Sequence, residues 1–310
     1  MKTKTMKLSG YAFAITLGLG LAATSCSSDD SSSTPLPAIG GYNSANEVGA
    51  ADLVAYWPLN GSGVESKSST APTTTVGTTW EAGVKGQGAK LVEGFMSYPT
   101  IANMANSLSS MSVSCWAKVN NNGSSATMMF SLGRPSAFAG NINLMAETGW
   151  QPATSDSLTV KGYVQIKGAD GISVNGQDTR NTIKESDASI AEGNIPYPNK
   201  NGGVWAHYVI TWDASNANFK VYANGVKISN PNWERRNKDG ATPPNDQPLA
   251  LNFFTPTTPV IGASVTTASG SPLDTWDKAM TGSIDEVRVW KKALNAADIN
   301  ALYELEKVGR

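Results

Sequence analysis

The chain of 310 residues contains a single histidine, His207, and only two cysteines, Cys26 and Cys115. A structural zinc site takes four ligands drawn mainly from these two residue types, so the sequence disfavours zinc binding. A Ser–His–Asp triad would have to use His207, which stands in the middle of a predicted strand. The scarcity of both residue types therefore argues against both kinds of chemistry.

Basic clusters are also missing from the sequence. Its 24 lysines and arginines are matched by 25 acidic residues, and the densest basic stretch is WERRNK at 233–238. Such a short stretch is typical of a solvated loop, whereas nucleic-acid-binding proteins carry a basic patch or stripe. Nucleic acid is therefore not expected as a partner.

No apolar run is long enough for a membrane-spanning helix. The longest begins at Tyr11 and ends at Ala23, shorter than the roughly 20 residues that a bilayer requires. Three lysines precede it, and a basic start followed by a short apolar core is typical of a secretion signal. Residues 1–25 are therefore predicted to be a signal peptide.

The signal ends in Ala23-Thr24-Ser25-Cys26, which resembles a bacterial lipobox. We expect Cys26 to carry lipid and to anchor an outer-membrane lipoprotein, exposed at the cell surface; the alternative is an ordinary signal with a chance cysteine. Residues 26–50 are predicted to be a flexible tether. Acidic residues just after the cysteine resemble the surface-export signal of Bacteroidetes lipoproteins. Cys115 then lacks an intramolecular disulfide partner, and we expect it to be a buried structural cysteine.

Residues 51–310 carry the pattern of one all-β domain, an antiparallel two-sheet sandwich. Its segments are rich in β-branched and aromatic residues and are separated by turn residues. The predicted strands are LVAYWPL (53–59), MSVSCWAKV (111–119), ATMMFSL (126–132), TVKGYVQI (159–166), WAHYVITWD (205–213), NFKVYANGVKI (218–228), LALNFF (249–254), TPVIGAS (258–264) and GSIDEVRVW (282–290). Asn224-Gly225 predicts a tight hairpin, and a short C-terminal helix is predicted after Asn295. Insertions near 138–203 and 229–257 are interpreted as decorated loops.

The order of these segments resembles the LamG-like, concanavalin A-like lectin/glucanase jelly roll. Six stretches carry the resemblance: LVAYWPLNG (53–61), GVKGQGA (83–89), VSCWAK (113–118), WAHYVITWD (205–213), VYANGVKI (221–228) and GSIDEVRVWKKALNAADI (282–299). The resemblance implies a jelly roll. This fold hosts lectins, glycosidases, adhesion modules and spacers, so the site must decide the function.

The adjacent carboxylates Asp285 and Glu286 are the candidates for a catalytic pair. Catalytic glucanases of this fold carry an E-x-D-x-x-E or E-x-D-x-E run, which this sequence lacks. Neighbouring side chains of a strand point to opposite faces, so Asp285 and Glu286 should not share one cleft, as a glycosidase pair must. We predict a scaffold strand and no catalytic residue, with an unusual site built from separate loops as the alternative.

The resemblance also implies one structural calcium ion. By position its ligands would be Glu65, from the loop after the first strand, and Asp285. Lys67 places a positive charge in the same loop. The alternative is that Asp285 caps a turn.

Glycan-binding candidates are the aromatic residues of the loops. Sugars stack on aromatic faces and are held by neighbouring polar groups. Five of the nine tryptophans fall in predicted strands and are assigned to the core, and Trp80, in the early hairpin region, is interpreted as structural. The remaining three, Trp150, Trp233 and Trp276, are predicted to bind a glycan, with Tyr197 as a fourth candidate.

The sequence as a whole predicts a non-catalytic, lectin-like lipoprotein. It would capture a polysaccharide or oligosaccharide for a bacterial polysaccharide-utilisation or adhesion system, together with outer-membrane uptake proteins. A structural or protein-interaction module is the alternative, and a glycoside hydrolase with a non-standard site is the third possibility.

Overall fold

The computed structural model describes residues 36–182, 199–236 and 249–310. Within these ranges the chain forms thirteen strands and two α-helices. The strands are β1 (Leu53–Trp57), β2 (Thr74–Ala82), β3 (Gln87–Ser97), β4 (Met111–Lys118), β5 (Thr127–Gly133), β6 (Ile142–Ala146), β7 (Val160–Lys167), β8 (Val174–Arg180), β9 (Ala206–Asp213), β10 (Asn218–Ala223), β11 (Val226–Lys227), β12 (Thr258–Ile261) and β13 (Met280–Trp290), and the helices are α1 (Val265–Ala268) and α2 (Ala296–Lys307).

The strands pair in the order β11-β10-β9-β4-β13-β3-β12-β5-β6-β7-β8, while β1 pairs with β13 and β2 with β3. The sheet curls so that its two halves face each other. A β carbon added to Gly162 of β7 would lie 2.7 Å from Phe219 of β10 and 2.9 Å from Ile210 of β9, so only glycine permits this close approach. The predicted antiparallel sandwich, including its C-terminal helix, is confirmed.

Alternation along the strands divides each half into an inner and an outer face. On β7, Val160 and Val164 join the central core, whereas Lys161 and Tyr163 point outward. On β9, Tyr208 joins the same core. Cys115 on β4 is also fully buried there, as predicted.

Helix α2 covers the outer face of the half that contains β9, β10 and β13. Asn295 caps it, because its side-chain oxygen accepts a hydrogen bond from the Asp298 amide at 2.8 Å. A second apolar cluster lies beneath the helix and includes Val209, Tyr222, Trp290, Ile299 and Leu302. No helix in the described ranges is both long and apolar enough to cross a membrane.

The folded unit begins earlier than the sequence analysis predicted, at Pro37. Ala45 and Val48 are buried against the α2 cluster, and the Arg310 side chain donates hydrogen bonds to the carbonyls of Pro37 and Asn43. Residues 37–50 are therefore part of the domain and not of a tether. The rest of the predicted tether, with Cys26 and the signal, lies outside the described residues.

Two further sequence predictions were wrong in detail. The insertion at 138–203 contains the predicted strand 159–166, which is β7, but also two strands that were not predicted, β6 and β8, and all three extend the sheet. Conversely, LALNFF (249–254) forms no strand, because two of its amides donate to side chains. The Phe253 amide donates to Ser107 Oγ, and the Phe254 amide donates to Asn141 Oδ1. Residues 249–254 thus alternate in burial although the segment does not pair with a neighbouring strand.

Candidate functional site

A cleft of about 390 Å³ opens on the outer face of β6 and β7. The central core separates this face from the one that α2 covers. Aromatic, apolar and charged side chains share the wall of the cleft, which is lined by Ala126, Phe138, Met145, Glu147, Trp150, Lys161, Tyr163 and Trp276. It therefore brings together two of the predicted tryptophans, Trp150 and Trp276.

Strand register places the floor of the cleft. Met145 on β6 pairs with Lys161 on β7, and Tyr163 follows two residues later on the same outer face. The Lys161 ammonium lies 3.1 Å from Glu147 Oε1 and 3.6 Å from Asp178 Oδ2. Glu147 is therefore an acceptor held in place by Lys161, beside Met145 and Tyr163 on the floor.

Trp150 is held at the rim by a turn. Its amide donates to the Glu147 carbonyl at 3.1 Å, and its side chain is 52 % exposed. Gly149 packs against the backbone of Ser125, since a β carbon there would lie 2.9 Å from the Ser125 nitrogen. The indole is thus fixed in the chain but open to solvent, as a stacking platform requires.

Trp276 reaches the cleft from the segment after α1. Its neighbour Asp277 is buried and accepts hydrogen bonds from the hydroxyls of Ser264 and Thr266 at 2.7 and 2.6 Å. The Trp276 ring meets Phe138 edge to face, with ring centres 4.7 Å apart at 82°. Trp276 is therefore both a packing anchor and part of the cleft wall.

The other two candidates do not line the cleft. Trp233 lies in a single 3-10 turn, Pro231–Trp233, and packs against Arg180, which lies between it and Trp150. Tyr197 lies outside the described residues. Of the three candidate tryptophans, the structure therefore brings Trp150 and Trp276 together, and Trp233 reaches the cleft only through Arg180.

Sequence reasoning missed Phe138, Lys161 and Tyr163. Phe138 lies in a loop whose position depends on residues far away in the chain. The alternation in TVKGYVQI does place Lys161 and Tyr163 together on one face, opposite Val160 and Val164. That signal was present, but nothing in the sequence indicated which outer face remains uncovered.

Asp285 and Glu286 occupy a bulge in β13, not a regular strand. Glu286 has a φ of 50°, and the pairing register with β4 shifts between Asp285 and Arg288. Ile284 and Val287 both face the central core, so two residues intervene where strict alternation allows one. The expectation that Asp285 and Glu286 point to opposite faces was therefore wrong.

The two carboxylates nevertheless serve the scaffold. Asp285 Oδ2 accepts hydrogen bonds from the amides of Val84 and Lys85, at 2.9 and 3.1 Å, and so caps the hairpin between β2 and β3. Glu286 accepts from the Tyr56 hydroxyl and from Arg288 Nη2. Burial raises the pKa of Asp285 to about 7, against the opposing effect of its amide donors.

Arg288 joins Glu286 to α2 in a buried network. Its Nε donates to Glu306 Oε1 at 2.9 Å, and Trp116 Nε1 donates to the other oxygen of Glu306 at 2.8 Å. Burial raises the pKa of Glu306 to about 8, although Arg288 opposes the shift. The network fastens α2 to the sheet and is remote from the cleft.

His207 is packed beside this network. Its Nε2 lies 3.7 Å from Glu306 Oε2, and neither ring nitrogen has a hydrogen-bond partner among the described residues. Burial lowers the pKa of His207 to about 3, and the positive charge of Arg288 adds to the shift. The imidazole is therefore a neutral packing group.

Glu65 and Asp285 do not fit the implied calcium ion. Glu65 is fully buried, and its Oε1 accepts from the amides of Tyr56 and Lys67 while its Oε2 accepts from the amide and hydroxyl of Ser68. Four donors occupy the four lone-pair positions of a carboxylate, which leaves none for a cation. The described residues also contain no group of three acidic, histidine or cysteine side chains suited to a metal.

A catalytic carboxylate pair is not assembled in the part of the cleft that the structure describes. Glycosidases place two carboxyl groups across one substrate site. Glu147 is the one carboxylate among the described lining residues, and Asp178, the second partner of Lys161, is not part of the wall. The geometry offers stacking surfaces and hydrogen-bonding groups.

Comparison with known proteins identifies the fold independently. A family model described as the concanavalin A-like lectin/glucanases superfamily matches residues 93–300, more than half of the chain. No curated protein sequence matches.

Solved structures match at low identity. The receptor binding domain of a botulinum neurotoxin C/D mosaic serotype is 14 % identical over 82 % of this chain and 51 % of its own, with a TM-score of 0.51. A botulinum neurotoxin DC binding domain in complex with SialylT is 12 % identical over 85 % and 52 %, with a TM-score of 0.50. Domain 4 of AbnA, an extracellular arabinanase from Geobacillus stearothermophilus, in complex with arabinotriose, is 18 % identical over 81 % and 98 %, with a TM-score of 0.47. The chain spans about half the length of the neurotoxin domains, and the likeness is one of fold.

Proposed function

The chain belongs to the concanavalin A-like lectin/glucanases superfamily, and from this membership we propose that it is a non-catalytic glycan-binding protein of the bacterial cell surface. Since the fold hosts many functions, the proposal depends on the site. The observation that carries it is the convergence of Trp150, Trp276, Tyr163 and Phe138 on one cleft beside the Glu147–Lys161 ion pair.

These groups match the chemistry of a sugar. The C–H faces of a pyranose ring are buried against indole and phenol rings, while its hydroxyls need donors and acceptors. Trp150 is exposed enough to receive such a face. The Glu147 carboxylate accepts hydrogen bonds from hydroxyls, and the Lys161 ammonium donates to them. A botulinum neurotoxin binding domain of this fold has been solved with SialylT, so sialylated glycans belong among the ligands tested.

The surface location is the second part of the proposal. It rests on the sequence from Lys2 to Cys26, which has the order of a lipoprotein signal followed by a lipidated cysteine. An anchored module keeps captured glycan close to uptake proteins in the same membrane and raises its local concentration. Incorporation of labelled palmitate into the full-length protein, and its loss in Cys26→Ala, tests this part separately.

Glycan binding is tested with residues 27–310 on an array of plant, host and microbial glycans. A defined hit is expected, and Trp150→Ala should lower its affinity at least tenfold because the open stacking face is lost. Trp205→Ala is the matched control, since Trp205 is partly buried and does not line the cleft.

The outcome is read only on protein shown to be folded by circular dichroism and thermal unfolding. A folded protein that binds nothing on the array contradicts the proposal. Equal losses from Trp150→Ala and Trp205→Ala would place the binding site elsewhere.

A further inference from the structure

The aromatic cleft continues into a second cavity. A connecting space of about 160 Å³ is lined by Ala126, Glu147, Trp150 and Trp276, which it shares with the cleft, and by Ser124 and Gly149. A third cavity of about 250 Å³ again includes Ser124 and Ala126. Because they share lining residues, the three spaces lie next to one another, and together they are called the groove.

The far end of this groove is polar. Exposed amide, hydroxyl and charged groups line it, among them Glu93, Asn120, Ser124, Lys278 and Thr281. The lining residues of this third cavity include no aromatic side chain. This end suits the hydroxyl groups at the edges of a sugar, whereas the aromatic cleft suits a ring face.

The polar end is also built rigidly. Asn122 Oδ1 accepts hydrogen bonds from the amides of Ser124 and Ser125, both at 2.8 Å, and so fixes the loop. Asn121, 1 % exposed, donates from Nδ2 to the carbonyl of Ser155 at 2.9 Å, but its Oδ1 has no hydrogen-bond partner among the described residues. A buried acceptor without a donor is costly, and it lies in a residue of the groove wall.

The geometry points to a linear oligosaccharide of several units, bound along the groove, as the ligand class. One unit stacks in the aromatic cleft, and the following units pass Ser124 and Ala126 to the polar end. This inference rests on the proposed function and deepens it, because a site for one terminal sugar would use the aromatic cleft alone.

The test measures affinity against chain length. Residues 27–310 are titrated with xylo-, cello-, laminari- and manno-oligosaccharides of one to six units, followed by calorimetry. For the series that binds, we expect the hexasaccharide to bind at least tenfold more tightly than the disaccharide. Lys278→Ala should reduce this ratio about fivefold, the equivalent of about one hydrogen bond. Lys291→Ala, an exposed lysine outside the groove, should leave the ratio unchanged.

Each other outcome is decisive. Equal affinity for short and long chains overturns the extended site while leaving glycan binding intact. The same holds if no series binds but a compact branched glycan on the array does, or if Lys278→Ala weakens all lengths equally. No binding to any array glycan or oligosaccharide overturns the proposed function and this inference together.

Discussion

The guanidinium carbon of Arg180 lies 4.1 Å from the centre of the Trp233 ring. The same carbon lies 5.1 Å from the centre of the Trp150 ring. Arg180 is thus stacked between two indoles, only one of which lines the cleft. Trp233 is a positioning residue, because it steadies the cation on which Trp150 rests.

Removing Trp233 should therefore weaken glycan binding less than removing Trp150. A cation–π contact at a partly exposed site is worth about 0.5–1 kcal/mol, so Trp233→Ala should cost roughly two- to fivefold in affinity. Calorimetry with the glycan identified on the array measures the loss. If Trp233→Ala and Trp150→Ala reduce affinity equally, Trp233 contacts the glycan directly.

Breaking the buried network should destabilise the domain. Glu306→Ala leaves Arg288 Nε and Trp116 Nε1 without their acceptor, and we expect a loss of about 3 kcal/mol in the free energy of unfolding. Glu304→Ala, on the same helix, removes only an exposed pair with Lys307 and should cost less than about 0.5 kcal/mol. Urea unfolding compares the two, and similar losses would show that the network contributes little.

The high pKa of Glu306 gives a pH dependence of defined sign. In the folded protein this carboxyl keeps its proton up to about pH 8, whereas in the unfolded chain it loses it near 4.5. Its contribution to stability is therefore fully present below pH 4.5 and is lost as the pH rises through 8. Between pH 6.5 and 9, wild type should lose more stability than Glu306→Gln. Parallel curves for the two proteins would mean that Glu306 is already ionised.

His207 should remain neutral in acid. Its folded pKa is about 3, so the folded protein takes up no proton there between pH 6.5 and 3 while the unfolded chain does. The contribution of His207 to stability is consequently lost as the pH falls through this window. Since the chain has a single histidine, its NMR resonances are unambiguous. They should not move between about pH 6 and 4 in folded protein, a range below the titration of the neighbouring Glu306, and should titrate near 6.5 in urea. Titration near 6.5 in the folded state would show that the ring reaches solvent.

Calcium removal should leave stability unchanged. Both oxygens of Glu65 are filled by backbone and hydroxyl donors, so these residues gain nothing from the cation. The melting temperature should shift by less than about 1 °C in chelator, compared with the roughly 2–4 °C that 1 kcal/mol produces in a domain of this size. A fall of several degrees in the melting temperature, reversed by added calcium, would show that the protein binds calcium.

Sequence signals predicted the fold well where a feature depends on neighbouring residues alone, as helix caps and tight turns do. Asn295 caps α2, and Asn224 and Gly225 both adopt positive φ in the hairpin between β10 and β11, as their types favour. The bulge at Glu286 escaped prediction, because a two-residue period cannot indicate an extra residue. The spacing of apolar residues in LALNFF likewise reflects their burial and not the pairing of a strand.

The site was only partly predictable for a different reason. Exposed loop position singled out Trp150 and Trp276, but their meeting depends on distant contacts such as the bridge between Ala126 and Asp277. Tyr163 and Lys161 were visible as an outward pair, yet their role depends on which face of the sandwich α2 covers. That choice is made by the packing of the whole chain.

Helix α2 lies next to the point where the chain enters the folded domain. The chain enters the domain at Pro37, which Arg310 holds beside the end of α2, whereas the aromatic cleft opens on the opposite side of the core. Both ends of the folded unit therefore lie beside α2, on the side of the core away from the cleft.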